Sequence, residues 1–429
     1  MLKATIVSDV HLNSRGYGND TSYVEEQGQE SFREFLVSLH NDLKPDDTAI
    51  LILNGDILDI NESWFDATVP WDSDESNVER ILLTVLSKIM ENNAGVFEAL
   101  RQLLAQPNVE LVYVFGNHDG LLAHYPAAQA FLRQALLQNA PEAKGRLFFG
   151  ESYQHAGLNL HVEHGHRLDQ FNNNQHTKHN PALGDVVNVL VVNGFEQRVV
   201  TKMKDHGYDP DEINDVWQQL SEIGLLRPLT LFPLWLEMVS TQKLSLPQEK
   251  ESSLKQLIRE SLYDIFRQHT TVRYFVEKLH VPAWMLKALA KNSLRFPIIL
   301  PVLSYIISKL VRHASSNTQQ YRAAQKLNEA HGYRLIVYGH THSPTVESLD
   351  HGGYYFNTGS WMPIIRLVRK ISKKTTPLDY LALEDRFRKI YQCSILRIEK
   401  DLSKPDVPAE YFLQTLRNGQ ITERGSVFL

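Results

Sequence analysis

The sequence predicts an α/β protein with a long helical insertion, and three observations carry that expectation. Short β-branched or apolar runs alternate with amphipathic helical stretches over residues 1–170. Helical periodicity alone then occupies 171–332, and strand signals resume at Leu335. The expected organisation is therefore one discontinuous domain, 1–170 with 333–429, interrupted by a helical insertion or cap at 171–332. No fixed-period repeat or extended low-complexity tract runs through the chain.

In chain order, the first expected strand is the run at 3–7, followed by a helix near 29–43 with Phe32, Phe35, Leu36 and Leu39 on one face. A strand at 49–53 precedes a long helix near 76–104 carrying Ile81, Leu82, Val85, Leu86 and Ile89, and a third strand follows at 110–115. Both helices stand where crossovers between parallel strands belong. Further strands are expected at 158–162, 334–338, 354–356 and 393–398.

Five of these runs end in a polar block: Ser8-Asp9-Val10-His11, Asn54-Gly55-Asp56, Gly116-Asn117-His118-Asp119, His164-Gly165-His166 and Gly339-His340-Thr341-His342. Open α/β folds place ligands at the carboxyl edge of the strands, so the five blocks are expected to converge there. Taken singly, each block is an ordinary turn or cap, because Gly, Asn and Asp favour turns on their own account. Together they supply carboxylates, imidazoles and an amide, the hard and borderline donors that suit manganese, iron or zinc. Two such ions roughly 3.5–4 Å apart clamp both the attacking and the leaving oxygen of a phosphoryl transfer. Asp56, at the sharp turn after Gly55, is the candidate to bridge them.

Composition narrows the alternatives. The chain has 429 residues, 43% of them hydrophobic and 22% charged, enough to bury a sizeable core. A net charge of −6 gives no global attraction to nucleic acid. The single cysteine, Cys393, excludes an internal disulfide and any cysteine metal site, and is expected to be a buried strand residue. Asp9 arrives before any apolar stretch could serve as a signal sequence, so a cytoplasmic protein is expected. The longest apolar run, 296–307, is broken by Pro297 and Pro301 and is too short to span a bilayer, so no transmembrane segment is expected.

The order and content of the blocks resemble the calcineurin-like metallophosphoesterases, whose pattern is D-x-H, G-D-x-x-D, G-N-H-D/E, a lone H and G-H-x-H. The resemblance covers residues 9–342 and implies a four-layer αββα sandwich. It also implies two divalent metal ions, with manganese expected first and iron or zinc as alternatives. Asp9, His11, Asp56 and His342 would hold one ion, and Asp56, Asn117, His164 and His340 the other. His118 would stay off the metals and assist the leaving group, oriented by Asp119. Asp59, His166 and Asn357 would support the ligands from behind. The implied reaction is hydrolysis of a phosphodiester, phosphomonoester or pyrophosphate bond by a metal-bridging hydroxide.

The substrate is read from departures. Asp59 is followed by Ile60-Asn61-Glu62 where protein phosphatases of the family carry an arginine, which disfavours a phosphoprotein. The insertion is placed like the lid of UDP-2,3-diacylglucosamine hydrolase, a lipid pyrophosphatase, although that enzyme has arginine at the position of His118. Leu303, Ile306, Ile307, Leu310 and Val311 form an apolar stripe flanked by Arg295, Lys309 and Arg312, and a second apolar cluster spans 229–239. Such helices either lie on a membrane surface or pack as a cap. The expected partner is a phosphorylated small molecule or lipid, with peripheral membrane contact open and no nucleic acid. A non-catalytic metal-bound scaffold that binds a partner through the insertion is the alternative to an enzyme. His176 and His179 are expected to be plain loop residues.

Overall fold

The strands that deliver the polar blocks divide between two sheets, as shown by a computed structural model describing residues 1–14, 16–17, 20–21, 26–64, 69–169, 171–173, 181–226, 248–279, 317–367, 387–390, 392–404, 409–417 and 420–428. In the first sheet β1 (Leu2–Val7), β2 (Thr48–Asn54), β3 (Val109–Val114) and β4 (Leu147–Gly150) are parallel neighbours in that order. The second sheet comprises β5 (Ser152–His155), β6 (Leu160–Glu163), β7 (Leu335–Tyr338), β8 (Thr345–Ser348) and β9 (Tyr354–Asn357), in the spatial order β8-β9-β7-β6-β5. The chain then returns to the first sheet with β10 (Gln392–Lys400), β11 (Glu410–Arg417) and β12 (Gln420–Phe428), added antiparallel on the free edge of β1.

Alternation along each strand explains the layering. Ile6, Ile52 and Val114 point one way and meet Leu160, Val162, Val337 and Phe356 of the second sheet, forming a core between the sheets. Val7, Leu51, Leu53 and Leu111 point the other way, against Phe32 and Leu36 of α1 (Glu26–Asp42), Leu82 and Leu86 of α2 (Glu75–Asn92), and Leu100 and Leu104 of α3 (Ala94–Ala105). With both faces covered, these strands read as nearly continuous apolar runs, as observed. Truncating a fully buried side chain such as Leu82 to alanine is expected to cost about 2–5 kcal/mol.

The sequence expects one helix over 76–104, and the structure breaks it in two at Asn93. Asp74 caps α2 by accepting from the Asn77 N–H, while the Asn93 amide donates to the carbonyls of Ile89 and Asn13. That side chain competes with the helical backbone and turns the chain, which apolar periodicity alone does not reveal.

The described part of 181–279 is mostly helical: a short turn Leu183–Val186, a π-helical stretch Val187–Asn193, then α4 (Gly194–Asp205), α5 (Pro210–Ser221), α6 (Gln248–Arg267) and α7 (His269–Leu279). This segment meets the loop before α2 at Asp72, which accepts from Arg273 at 2.6 and 2.8 Å and from the Tyr274 hydroxyl at 2.6 Å. The pair is partly exposed, so its charge contributes no more than about 1 kcal/mol. The last helix of the stretch read by sequence as insertion, α8 (Asn317–His331), instead covers the outer face of the second sheet, with Ala324 against Ile336, Tyr338 and Tyr355. It forms the fourth layer of an αββα sandwich. The apolar stripe at 303–311, the cluster at 229–239, His176 and His179 lie outside the described residues. Among the described residues no helix is long and apolar enough to cross a membrane.

Candidate metal centre

The carboxyl ends of β1, β2 and β3 face those of β6 and β7 across the gap between the sheets, and hydrogen bonds stitch the rim. Asp9 N–H donates to Gly55 O and His11 N–H to Asp56 O, each at 3.0 Å, while Gly339 N–H reaches His164 O at 2.9 Å. Asn54 Nδ2 crosses to Glu163 O at 3.1 Å, tying the two sheets just below the site. The glycines of the blocks are there for space: a Cβ on Gly116 would lie 2.2 Å from Asp56 Oδ1, and one on Gly339 2.6 Å from Asp9 Oδ2.

The backbone itself marks the site. Six described non-glycine residues have positive φ, and five of them are Asp9, His11, Asp56, His340 and His342; the sixth is Asn159. Left-handed backbone is uncommon for side-chain-bearing residues and clusters where function over-determines it. Here it occurs at the strand ends that carry the polar blocks.

Two groups result, buried except for the partly buried His340. Asp9, His11 and His342 bring ligand atoms within 4.8 Å of one another, and so do Asp56, His164 and His340. His342 Nε2 lies 3.2 Å from Asp9 Oδ1, and the Nε2 atoms of His11 and His342 face each other at 3.3 Å. A third trio, His11, Asp59 and His118, is also close, but its contacts are ordinary hydrogen bonds. Asp59 Oδ2 meets His11 Nδ1 and Asp59 Oδ1 meets His118 Nδ1, both at 2.8 Å.

The donor set fits divalent metal. His164 Nδ1 lies 2.8 Å from the Asn54 carbonyl, which can only accept, so Nδ1 carries the proton and Nε2 presents a lone pair. That lone pair faces Asp56 Oδ2 at 3.0 Å, an arrangement that requires a cation or a proton between them. His11 is held at Nδ1 by Asp59, and His340 at Nε2 by Asp169 at 2.9 Å, leaving the other nitrogen of each for a ligand role. Asn117 Oδ1 is buried with no hydrogen-bond partner among the described residues. Nitrogen and oxygen donors without thiolate are the set expected for manganese, iron or zinc.

The electrostatics agree. Burial alone would raise the Asp9 carboxyl, but the imidazoles of His342 and His164 outweigh it and hold the group at about 2. Burial likewise opposes ionisation of Asp56, and His164 and His118 carry it well below the usual carboxylate range. For His118, burial works against the charge, yet Asp59 and Asp56 lift it to about 10, so the imidazole is protonated at neutral pH. His164 is lifted against burial to about 9, chiefly by Asp56 and Asp9, so without a cation a proton sits on Nε2 facing Asp56, and a bound cation would take its place.

One sequence expectation is corrected. Asp119 does not orient His118: its carboxylate accepts from Gly116 N–H at 2.6 Å, Ile57 N–H at 3.0 Å and the Tyr113 hydroxyl at 2.8 Å. It braces the loops under the site, and burial together with nearby Asp56 pushes it up to about 6. Asp59 makes the contact to His118 expected of Asp119. Asn357 lies behind the fifth block, where its amide donates to Gly339 O, Thr341 Oγ1 and Gln320 Oε1 and accepts from Gly359 N–H. His166 is buried with its ring centroid 5.5 Å from that of His164, and its Nδ1 has no partner among the described residues. Sequence reasoning missed Asp169, Asn61 and Asp185. An acid five residues after His164 is the only trace of the first, and chain separation hides the others.

Fold and clusters together suit a metal-dependent phosphoric ester hydrolase, and the family match makes it one. The profile of the calcineurin-like phosphoesterase family matches residues 2–219, just over half of the chain, and the chain belongs to that family. Among solved structures, a dimetal phosphatase from Danio rerio aligns over 98% of each chain at 11% identity with a TM-score of 0.29. No curated protein sequence matches.

Proposed function

We propose that Asp9, His11, Asp56 and His342 hold one divalent cation, that Asp56, Asn117, His164 and His340 hold a second, and that the enzyme hydrolyses a phosphoester or pyrophosphate bond with their help. The observation that carries this reading is the crowding of buried carboxylates and imidazoles whose lone pairs face one another, with Asp56 in electrostatic reach of both His164 and His11. Bound there, two cations would supply an acidified water and positive charge for the phosphoryl oxygens. The chain's own residues do the rest. Asp59 and Asn54 fix the tautomers of His11 and His164, so that each presents a bare nitrogen. His118, protonated and held by Asp59, gives its Nε2 proton to the departing oxygen.

Manganese is the cation we expect first, because carboxylate and amide oxygens suit it, with iron or zinc as the alternatives the imidazoles favour. Phosphodiesters, phosphomonoesters and pyrophosphates, including lipid-borne ones met at a membrane surface from the cytoplasm, are the substrates we place in scope. The test is turnover of a generic phosphodiester and phosphomonoester by manganese-loaded protein, with metal content measured in parallel. Asp56→Asn is expected to lose both metals and activity. Full activity and metal content in that variant refutes the assignment, and absence of turnover in metal-loaded wild type favours a scaffold.

A further inference from the structure

Asp59 opens a tight turn that ends at Trp64: its Oδ1 accepts from Glu62 N–H at 2.9 Å and its carbonyl from Ser63 N–H at 3.1 Å. The carboxylate that spans His11 and His118 is therefore only as well placed as this turn. Two residues of the insertion grip it. Asn193 Nδ2 donates to Asn61 O at 2.9 Å and to Trp64 O at 3.2 Å, spanning the turn's far end. Asp185 Oδ1 accepts from Asn61 Nδ2 at 2.9 Å, and the same amide reaches Asn117 O at 3.4 Å. Asp185 is itself fixed through Oδ2 by the Ala182 N–H at 2.9 Å. Asn61, Asn117, Asp185 and Asn193 are all buried, so water does not readily replace these bonds. Asn193 closes the π-helical stretch Val187–Asn193, and such local widening of a helix recurs at functional sites because it re-aims a side chain.

We propose that Asn193 and Asp185 are positioning residues: by clamping the Asp59–Trp64 turn they aim Asp59, and through it the acid His118, so the insertion completes the catalytic apparatus rather than only covering it. This rests on the reading of His118 as the leaving-group acid. A general acid contributes roughly 10²–10⁴-fold, and small misplacements forfeit much of that. The contribution is confined to leaving groups that need a proton.

The experiment compares an alkyl phosphoester with its p-nitrophenyl counterpart, using full-length, manganese-loaded Asn193→Ala and, as the reference for loss of the acid, His118→Ala. Metal content and melting temperature are measured for each. Asn193→Ala is expected to retain two manganese ions and to lose about tenfold or more in kcat on the alkyl ester. The loss on the p-nitrophenyl ester should be several times smaller, shifting the ratio in the direction His118→Ala shifts it. Asn193→Ser, which keeps a donor, should recover part of the ratio and serves if the alanine variant fails to fold. Equal losses on both esters, or none on either, overturn the proposal. No ratio change in His118→Ala overturns the acid reading itself, and two esters untouched by wild type overturn the proposed function; the three failures are thus distinct.

Discussion

Replacing Asp59 with asparagine separates the acid from the metals in one substitution. The carboxylate offers one oxygen to His11 Nδ1 and the other to His118 Nδ1, both at 2.8 Å, and Oδ1 also takes Glu62 N–H. Asparagine keeps a single acceptor, and its NH2 group must face at least one N–H. If the retained oxygen stays with His11, His118 loses the carboxylate that contributes most to lifting it to about 10, and it falls back toward the ordinary imidazole range near 6.5. At pH 8 the protonated fraction then drops from nearly complete to about 3%, roughly a thirtyfold loss of acid. If the oxygen goes to His118 instead, the hydrogen bond is kept but the charge is still lost, and metal affinity at His11 weakens in addition, by about 10–100-fold or about 1.4–2.7 kcal/mol. The assay is the pH profile of kcat on an alkyl phosphoester at saturating manganese. The acid form exists below the pKa, so wild-type activity is lost as pH rises through the folded value, and the variant's alkaline limb should move to lower pH. An Asp119→Asn control should show no such displacement, because Asp119 contacts backbone and Tyr113 rather than His118. An alkaline limb unmoved in Asp59→Asn, with metal still bound, would refute the reasoning.

Two further outcomes follow from the geometry. Gly116→Ala puts a Cβ 2.2 Å from Asp56 Oδ1 and 2.5 Å from its backbone nitrogen, so Asp56 must shift and metal content should fall below one ion per chain; elemental analysis showing two would contradict the close approach. The metal-free protein should lose stability with rising pH, because His164 and His118 are lifted to about 9 and about 10 in the fold. Their contribution is fully present below about 6.5, the unfolded value, and is lost as pH rises through the folded values. The melting temperature of EDTA-treated protein should therefore fall between pH 7 and pH 10, while the extra stability conferred by manganese should grow from pH 6 to pH 8, as binding requires neutral imidazole. A flat metal-free curve counts against the imidazolium–carboxylate pairing.

Much of this was legible because strand ends are where sequence and geometry coincide. An apolar run followed by Asp-x-His or Gly-Asp fixes both the element and the direction its polar residues face, and the ligand atoms of Asp9, His11 and His342 lie within 4.8 Å of one another, as do those of Asp56, His164 and His340. What the runs do not encode is which sheet each strand joins; the second sheet appears only when Leu160, Val337 and Phe356 are seen to close on Ile6 and Ile52. Partnerships distant in sequence are equally hidden. Adjacency to His118 points to Asp119 as its support, but Asp59, 59 residues earlier, makes the bond because the turn after β2 passes beside the third block. The grip of Asn193 on the same turn, across 132 residues, has no sequence signature short of the fold itself.

The left-handed backbone at Asp9, His11, Asp56, His340 and His342 carries one last consequence, for stability. Each of these positions holds a side chain where glycine is at ease, and each such conformation costs of order 1 kcal/mol or more. Glycine there would relieve the backbone and abolish the chemistry in the same stroke. Against that relief stand the buried partners each change would leave unpaired, at a cost of about 3–5 kcal/mol, so the strain is held in place by the contacts it makes possible.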